Sequence, residues 1–321
     1  MDTQALKYCD LVMEGGGVKS IGLAGALTVL SERGYRVRRV AGTSAGAIVG
    51  SLVAAGMPAP DVHIAMAGLD YPAFRDKNWL DRLGPLGMAA ALAAHKGVYE
   101  GNYLRRLVDD SLKDLGVRTF ADLKITEPWA RSLPPEQRYK LVVLTADVTS
   151  GRLVRLPWDY QMYGLDPDKQ RVADAVRMSV SIPFFYKPVK LRKHLFVDGA
   201  ILSNFPIDLF DNTAQWPTIG IKLWETPEQS MMPAHNTLEF GQAILATMLS
   251  AQDQQFIEDP AVLKRTIFVN TDGVKPTNFD IKMDQLEWLY LNGRHAAEEF
   301  LHSWNYEKYK KEFAPHLKVV G

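Results

Sequence analysis

The chain has 321 residues, 47 % of them hydrophobic, enough to bury a sizeable core in one domain or in a domain with an embellishment. Its 37 Lys and Arg balance 37 Asp and Glu, so no net basic field draws it to nucleic acid. One cysteine, Cys9, excludes an intrachain disulfide and a cysteine-rich zinc site.

The opening MDTQALKYCD lacks the basic stretch and apolar run of a signal peptide. No apolar run reaches the roughly 18–20 residues of a membrane-spanning helix, so a cytoplasmic protein is expected. Residues 7–13, KYCDLVM, are short and apolar and suit a buried strand, with Cys9 as a small buried hydrophobe. Residues 18–33 read as a helix with Ile21, Leu23, Ala24, Leu27 and Leu30 on its apolar stripe and Gly34 as its stop. A second strand over 35–42 and a second helix over 45–56 follow. Such strand–helix alternation predicts a largely parallel sheet covered by helices.

Residues 70–98 are irregular and read as an insertion; 102–115 is a helix; 131–137 is a surface loop; 138–157 is a hairpin turning at Thr149-Ser150-Gly151. A helix over 172–181, strands over 194–199 and 218–223, a helix over 238–257, a strand over 266–270 and a closing helix over 284–304 complete the chain. Trp288, Tyr290 and Trp304 on that last helix read as core. No repeat or long linker divides the chain.

Three chemistries compete for the glycine run MEGGGVKS. A dinucleotide fingerprint fails, because Ser20 stands where the third glycine belongs and the second strand ends without an acid. A P-loop fails at Leu23, where lysine is required. The third reading comes from GTSAG, Gly42 to Gly46, a G-x-S-x-G between a strand and a helix. That setting is a nucleophile elbow with Ser44 exposed at its tip. A nucleophilic serine needs N–H donors for its tetrahedral oxyanion, and a glycine loop on the neighbouring strand supplies them.

Ser44 also needs a base. His235, His295, His302 and His316 follow it in order, but none sits in a glycine-marked loop at a strand end. Asp198 does, in VDGA, although Asp-Gly taken alone is more often simply a turn. Asp147, at the end of LTAD, competes without a glycine turn after it. No acidic or histidine cluster has metal-ligand spacing, so neither metal nor cofactor is expected. Lys19 reads equally as a cation beside the oxyanion or a lipid phosphate and as an exposed charge.

The ordered set EGGGVKS, GTSAG and a distant DGA resembles the patatin-like phospholipase family over most of the chain. TFADL (residues 119–123), MSVSIPFFYKPV (178–189) and NFP (204–206) are similar as well. The resemblance implies a single three-layer α/β domain over 1–321, with a central mixed, mostly parallel sheet between helices. It also implies hydrolysis of lipid acyl esters by a Ser–Asp dyad without histidine. By position, Ser44 is the nucleophile, Asp198 the base, and the backbone N–H groups of Gly15, Gly16, Gly17, Val18 and Lys19 the oxyanion hole. Gly42, Gly46 and Gly199 are the motif glycines. The family usually has glycine where this chain has Ser20.

The expected partners are phospholipid or another lipid ester and, transiently, a membrane surface. A lysophospholipase, a neutral-lipid lipase or an acyltransferase fits the same site, and so does an effector or ligand-regulated module that stays silent until a partner triggers it. Within the insertion, residues 86–94 carry no charged or hydrogen-bonding side chain. They read equally as a lid, with Met88 and Leu92 entering lipid and Arg82 and Lys96 meeting phosphates, and as an alanine-rich core helix.

Overall fold

The computed structural model describes residues 6–76, 92, 94–213, 215–226, 240–241, 243–244, 247 and 259–313. Most of the expected lid, with Arg82 and Met88, and most of the helix expected over 238–257 lie outside the described residues.

The chain starts with strand β1 (Lys7–Met13), a 3-10 turn (Gly17–Ser20), helix α1 (Ile21–Glu32), strand β2 (Tyr35–Thr43), and helices α2 (Ala45–Ala54) and α3 (Ala59–Ala67). Strand β3 (Gly97–Tyr99), helix α4 (Asn102–Asp114), strands β4 (Leu141–Asp147) and β5 (Arg152–Leu156) and helix α5 (Val172–Ser179) follow. The second half holds strands β6 (Phe184–Tyr186), β7 (Val189–Leu191), β8 (His194–Asp198), β9 (Thr218–Trp224) and β10 (Thr266–Asn270), then helix α6 (Met283–Ser303).

One sheet runs in the order β10-β9-β1-β2-β4-β8-β7, with β5 also paired to β4, while β3 and β6 form a separate pair. The pairs from β10 through β4 are parallel; β8 and β5 join β4 antiparallel. The fold is therefore mixed α/β with a mostly parallel central sheet flanked by helices. Every residue of β4 is buried, which is why LVVLTAD is apolar almost throughout instead of alternating. In α1 all ten residues from Ile21 to Leu30 are buried, so that helix is apolar all round. It packs against α3 and α6. By contrast, α4 buries only Leu104, Val108 and Leu112, four apart on one face.

Helix α3 was not expected, because Gly56 and Pro58 read as the end of α2; Pro58 is in fact the N-cap of a new helix. The first helix begins as a 3-10 turn instead of an α-helix. Trp288 is 41 % exposed and does not belong to the core, whereas Tyr290 stacks on His63 and Trp304 on Phe300. Among the described residues no helix is long and apolar enough to cross a membrane.

Candidate active site

Sheet register brings three distant segments level. Met13 pairs with Gly42, Thr43 with Leu144, and Thr145 with Asp198. The residues just past β2 therefore face the end of β8 across one strand, and those just past β1 across two. Ser44 occupies the turn between β2 and α2 with φ 53 and ψ −125. A left-handed serine is strained, and strain of this kind holds a side chain where a relaxed turn would not. The elbow is tight: a Cβ at Gly42 would overlap the Gly46 carbonyl, and one at Gly46 would overlap that of Met13. Ser44 N–H donates to Ser179 Oγ (2.8 Å), and that hydroxyl donates to the Leu144 carbonyl (2.5 Å). The last turn of α5 thus pins the elbow to β4.

Asp198 is 3 % exposed and Ser44 6 %. The Ser44 side chain is near enough to the Asp198 carboxylate to pull its pKa down, and Asp198 Oδ1 accepts from Ala200 N–H at 2.9 Å. Its own N–H donates to Ser181 O at 2.9 Å. Burial pushes the carboxyl up to about 7, against the pull of Ser44 and Ala200. Gly199 allows this placement, since a Cβ there would lie 2.5 Å from Leu144 O.

Asp147, the rival base, has other partners. Burial would raise its pKa, but Ser150, Thr149, His194 and Tyr163 all donate to it and hold it below the ordinary carboxylate range. Among the described residues no histidine bonds to Ser44 or Asp198. His194 lies against Asp147, His295 pairs with Glu299 on the surface, and His302 is exposed. His235 and His316 lie outside the described residues.

The glycine loop differs in detail from the expected five-donor hole. Gly15 N–H donates to Asn204 Oδ1 (3.1 Å), Val18 N–H to Pro276 O (3.0 Å) and Lys19 N–H to Gly16 O (3.1 Å). Those three donors are occupied because the loop turns back on itself and on two neighbouring segments. The N–H groups of Gly16 and Gly17 meet no acceptor among the described residues. Gly17 has φ +56, and a Cβ on it would overlap Pro276 O. Gly15 has its role in closeness: a Cβ there would stand 2.7 Å from both Ser44 Cβ and Asn204 Oδ1. Gly15→Ala is therefore expected to lower ester turnover at least 100-fold by displacing the nucleophile; kcat of the purified variant beside its circular dichroism spectrum checks this.

Lys19 is not an exposed charge. It is buried, its ammonium bonds Glu225, and burial pulls its pKa down against the opposing pull of that carboxylate. A second buried set holds the loop. Asn204 Nδ2 donates to Glu14 Oε1 (3.1 Å), which also accepts from Lys222 Nζ, while Glu14 Oε2 accepts from Leu223 N–H (2.6 Å). Residue-by-residue reading gave Glu14, Asn204, Lys222 and Ser179 no role. A lysine inside the apolar strand TIGIKL is the signal that points to this network, because a buried ammonium demands a buried carboxylate.

Beside Ser44 lies a small, partly open pocket of about 30 Å³. Its wall includes Ile48, Met66, Phe74, Leu104, Ile182 and Phe279, which suits a hydrocarbon chain.

The family model described as Patatin-like phospholipase matches residues 11–211 of this chain. Uncharacterized protein YqhO of Bacillus subtilis is 36 % identical over 308 residues, which cover 93 % of this chain and all of YqhO. In fold, the chain is similar to VipD from Legionella pneumophila (TM-score 0.56, 19 % identity, 94 % of this chain and 68 % of that one). It is also similar to the type III effector protein ExoU of Pseudomonas aeruginosa (TM-score 0.51, 17 % identity), covering 92 % of this chain and 53 % of ExoU.

Proposed function

The chain belongs to the patatin-like phospholipase family, and from that premise we propose that it is a serine acyl hydrolase of phospholipase A or lysophospholipase type, working through Ser44 and Asp198. Family and fold support lipid hydrolase activity. The dyad rests on one observation above all: a buried carboxylate within electrostatic reach of a strained serine in a turn between strand and helix.

Asp198 takes the proton from Ser44 Oγ as that oxygen attacks the ester carbonyl. The oxyanion of the tetrahedral intermediate is received by the N–H groups of Gly16 and Gly17. Collapse forms acyl-Ser44, and the departing alcohol takes the proton from Asp198. Water then attacks the acyl group, again giving a proton to Asp198, which returns it to Ser44 Oγ as the C–O bond to the serine breaks and the free fatty acid leaves. A base with a pKa of about 7 accepts and returns that proton near neutral pH at little cost. Base and oxyanion donors both come from the chain, so the reaction as written calls for no metal or cofactor.

The acyl chain occupies the apolar pocket, and the headgroup remains at the mouth. Contact with a membrane surface falls to Phe184 and Leu202, which are 40 % and 41 % exposed and flank the pocket residue Ile182 and the DGA turn. An acyltransferase differs from this scheme only in the acceptor, and a triggered effector only in remaining silent without its partner. Release of fatty acid from phosphatidylglycerol vesicles by the purified protein alone, lost in Ser44→Ala, supports hydrolysis. No release from vesicles or from a soluble short-chain ester overturns it.

Each of His235, His295, His302 and His316 is expected to be replaceable by alanine with at least half of the activity on a soluble ester retained. Loss of turnover in a folded single variant reinstates a histidine base.

A further inference from the structure

Ser20 is fully buried, and its Oγ meets no hydrogen-bond partner among the described residues. It ends the 3-10 turn that carries Gly17 and stands at the N-cap of α1. A capping serine adopts an extended backbone and turns its oxygen onto an N–H of the first helical turn. Ser20 instead has φ −61 and ψ −13 and makes no such cap. It lines the same pocket as Gly17 and Ser44.

The other polar side chains of that wall are satisfied. Tyr71 OH donates to Met66 O and Tyr186 OH to Phe74 O, each at 2.9 Å, and Ser44 is taken up by Asp198 in the reaction proposed above. The rest of the wall is glycine, aliphatic or aromatic. Ser20 is thus the one lining side chain, among the described residues, with an unspent hydrogen bond. A hydroxyl left so is costly, and alanine would fill the space equally well without that cost.

We propose that Ser20 is a specificity-determining residue whose Oγ hydrogen-bonds an oxygen substituent on the acyl chain near its carboxyl end, so that the pocket prefers hydroxyacyl to unsubstituted chains. The inference rests on the acyl-hydrolase reading, because it places the acyl chain in this pocket. The position follows from the turn: three residues of 3-10 helix advance about 6 Å from Gly17 to Ser20, a reach of the first few chain carbons. A hydroxyl both donates and accepts, so Ser20 pairs with a substrate hydroxyl in either sense. An unsubstituted chain leaves it unpaired, and a site built to bond an oxygen discriminates against the analogue lacking it.

The test uses neutral amides, which resemble the ester and stay intact: decanamide, 2-hydroxydecanamide and 3-hydroxydecanamide, titrated by calorimetry into the wild type and Ser20→Ala. The wild type is expected to bind one of the hydroxyamides about tenfold more tightly than decanamide. Ser20→Ala is expected to lose that preference, keep decanamide binding and melt no earlier than the wild type. Ser20→Gly, which removes the same hydroxyl, gives the same ratio. Equal ratios in wild type and variants, or no binding of any amide, overturn the inference. Turnover of 4-nitrophenyl decanoate, measured in parallel, separates the two claims. Hydrolysis with Ser20-independent ratios sinks only the specificity, whereas Ser20-dependent binding without hydrolysis sinks only the enzyme.

Discussion

Asp198→Asn is expected to cut turnover of a soluble ester about 10⁴-fold, as loss of a catalytic carboxylate does in other serine hydrolases, and at alkaline pH to raise the melting temperature. Both effects come from one property, the rise of this carboxyl from the ordinary 3.8 to about 7 by burial. As base, Asp198 must be ionised, so kcat of the wild type falls as pH drops through about 7. Stability runs the other way. The folded protein holds this proton more tightly than the unfolded chain does. Its contribution is full below about pH 4 and is lost as pH rises to about 7, a change on the order of 4 kcal/mol. Asparagine keeps the shape and the acceptor for Ala200 N–H, and carries no charge to bury. Thermal melts at pH 5 and pH 8 check the sign: the gain of the variant over the wild type is larger at pH 8 than at pH 5. A variant with wild-type turnover, or one that loses stability at pH 8, contradicts the assignment.

Lys222→Met is expected to be among the most destabilising single changes, by about 3–5 kcal/mol. Lys222 and Glu14 are both buried, and the lysine faces the carboxylate because Met13 pairs with Ile221 in the register of β1 and β9. Removing the ammonium takes the charge of Lys222 away from the buried Glu14 carboxylate, to which Asn204 and the Leu223 N–H also donate. Neutralising Glu14 as well, in Glu14→Gln/Lys222→Met, is expected to restore most of the stability, since the cost lies in burying a carboxylate without the charge of Lys222. Urea unfolding of the three proteins measures this. The double variant should still turn over ester more slowly, because Asn204 then loses the charged partner that steadies it against Gly15. A single variant as stable as the wild type removes the network from the account.

How much of this was legible depended on range. Ser44 is visible because strand, G-x-S-x-G and helix are contiguous, and Gly42 answers a local close approach, that of Gly46, whereas Gly46 answers that of Met13 on the neighbouring strand. Asp198 is weak alone, since Asp-Gly is an ordinary turn, and only its register with Thr145 makes it face Ser44. The failures are long-range. Whether Gly15 N–H is free depends on Asn204, 189 residues away, and Lys19 on Glu225, 206 away; no local pattern reports either. Helix α3 was hidden because a proline that stops one helix can start the next. Trp288 was read as core on its chemistry, but α6 turns it outward. The parallel sheet, in contrast, follows directly from alternating strands and helices, and β4 advertised its double burial by a nearly unbroken apolar run.

The central claim is that Ser44 is a nucleophile activated by Asp198. A fluorophosphonate probe followed by peptide mapping tests it most directly, because the probe reacts only with an activated serine and reports its position whatever the natural lipid is. The account predicts one adduct, on the peptide containing Ser44, absent in Ser44→Ala and formed far more slowly in Asp198→Asn. An adduct on another serine, or an undiminished rate in Asp198→Asn, contradicts it.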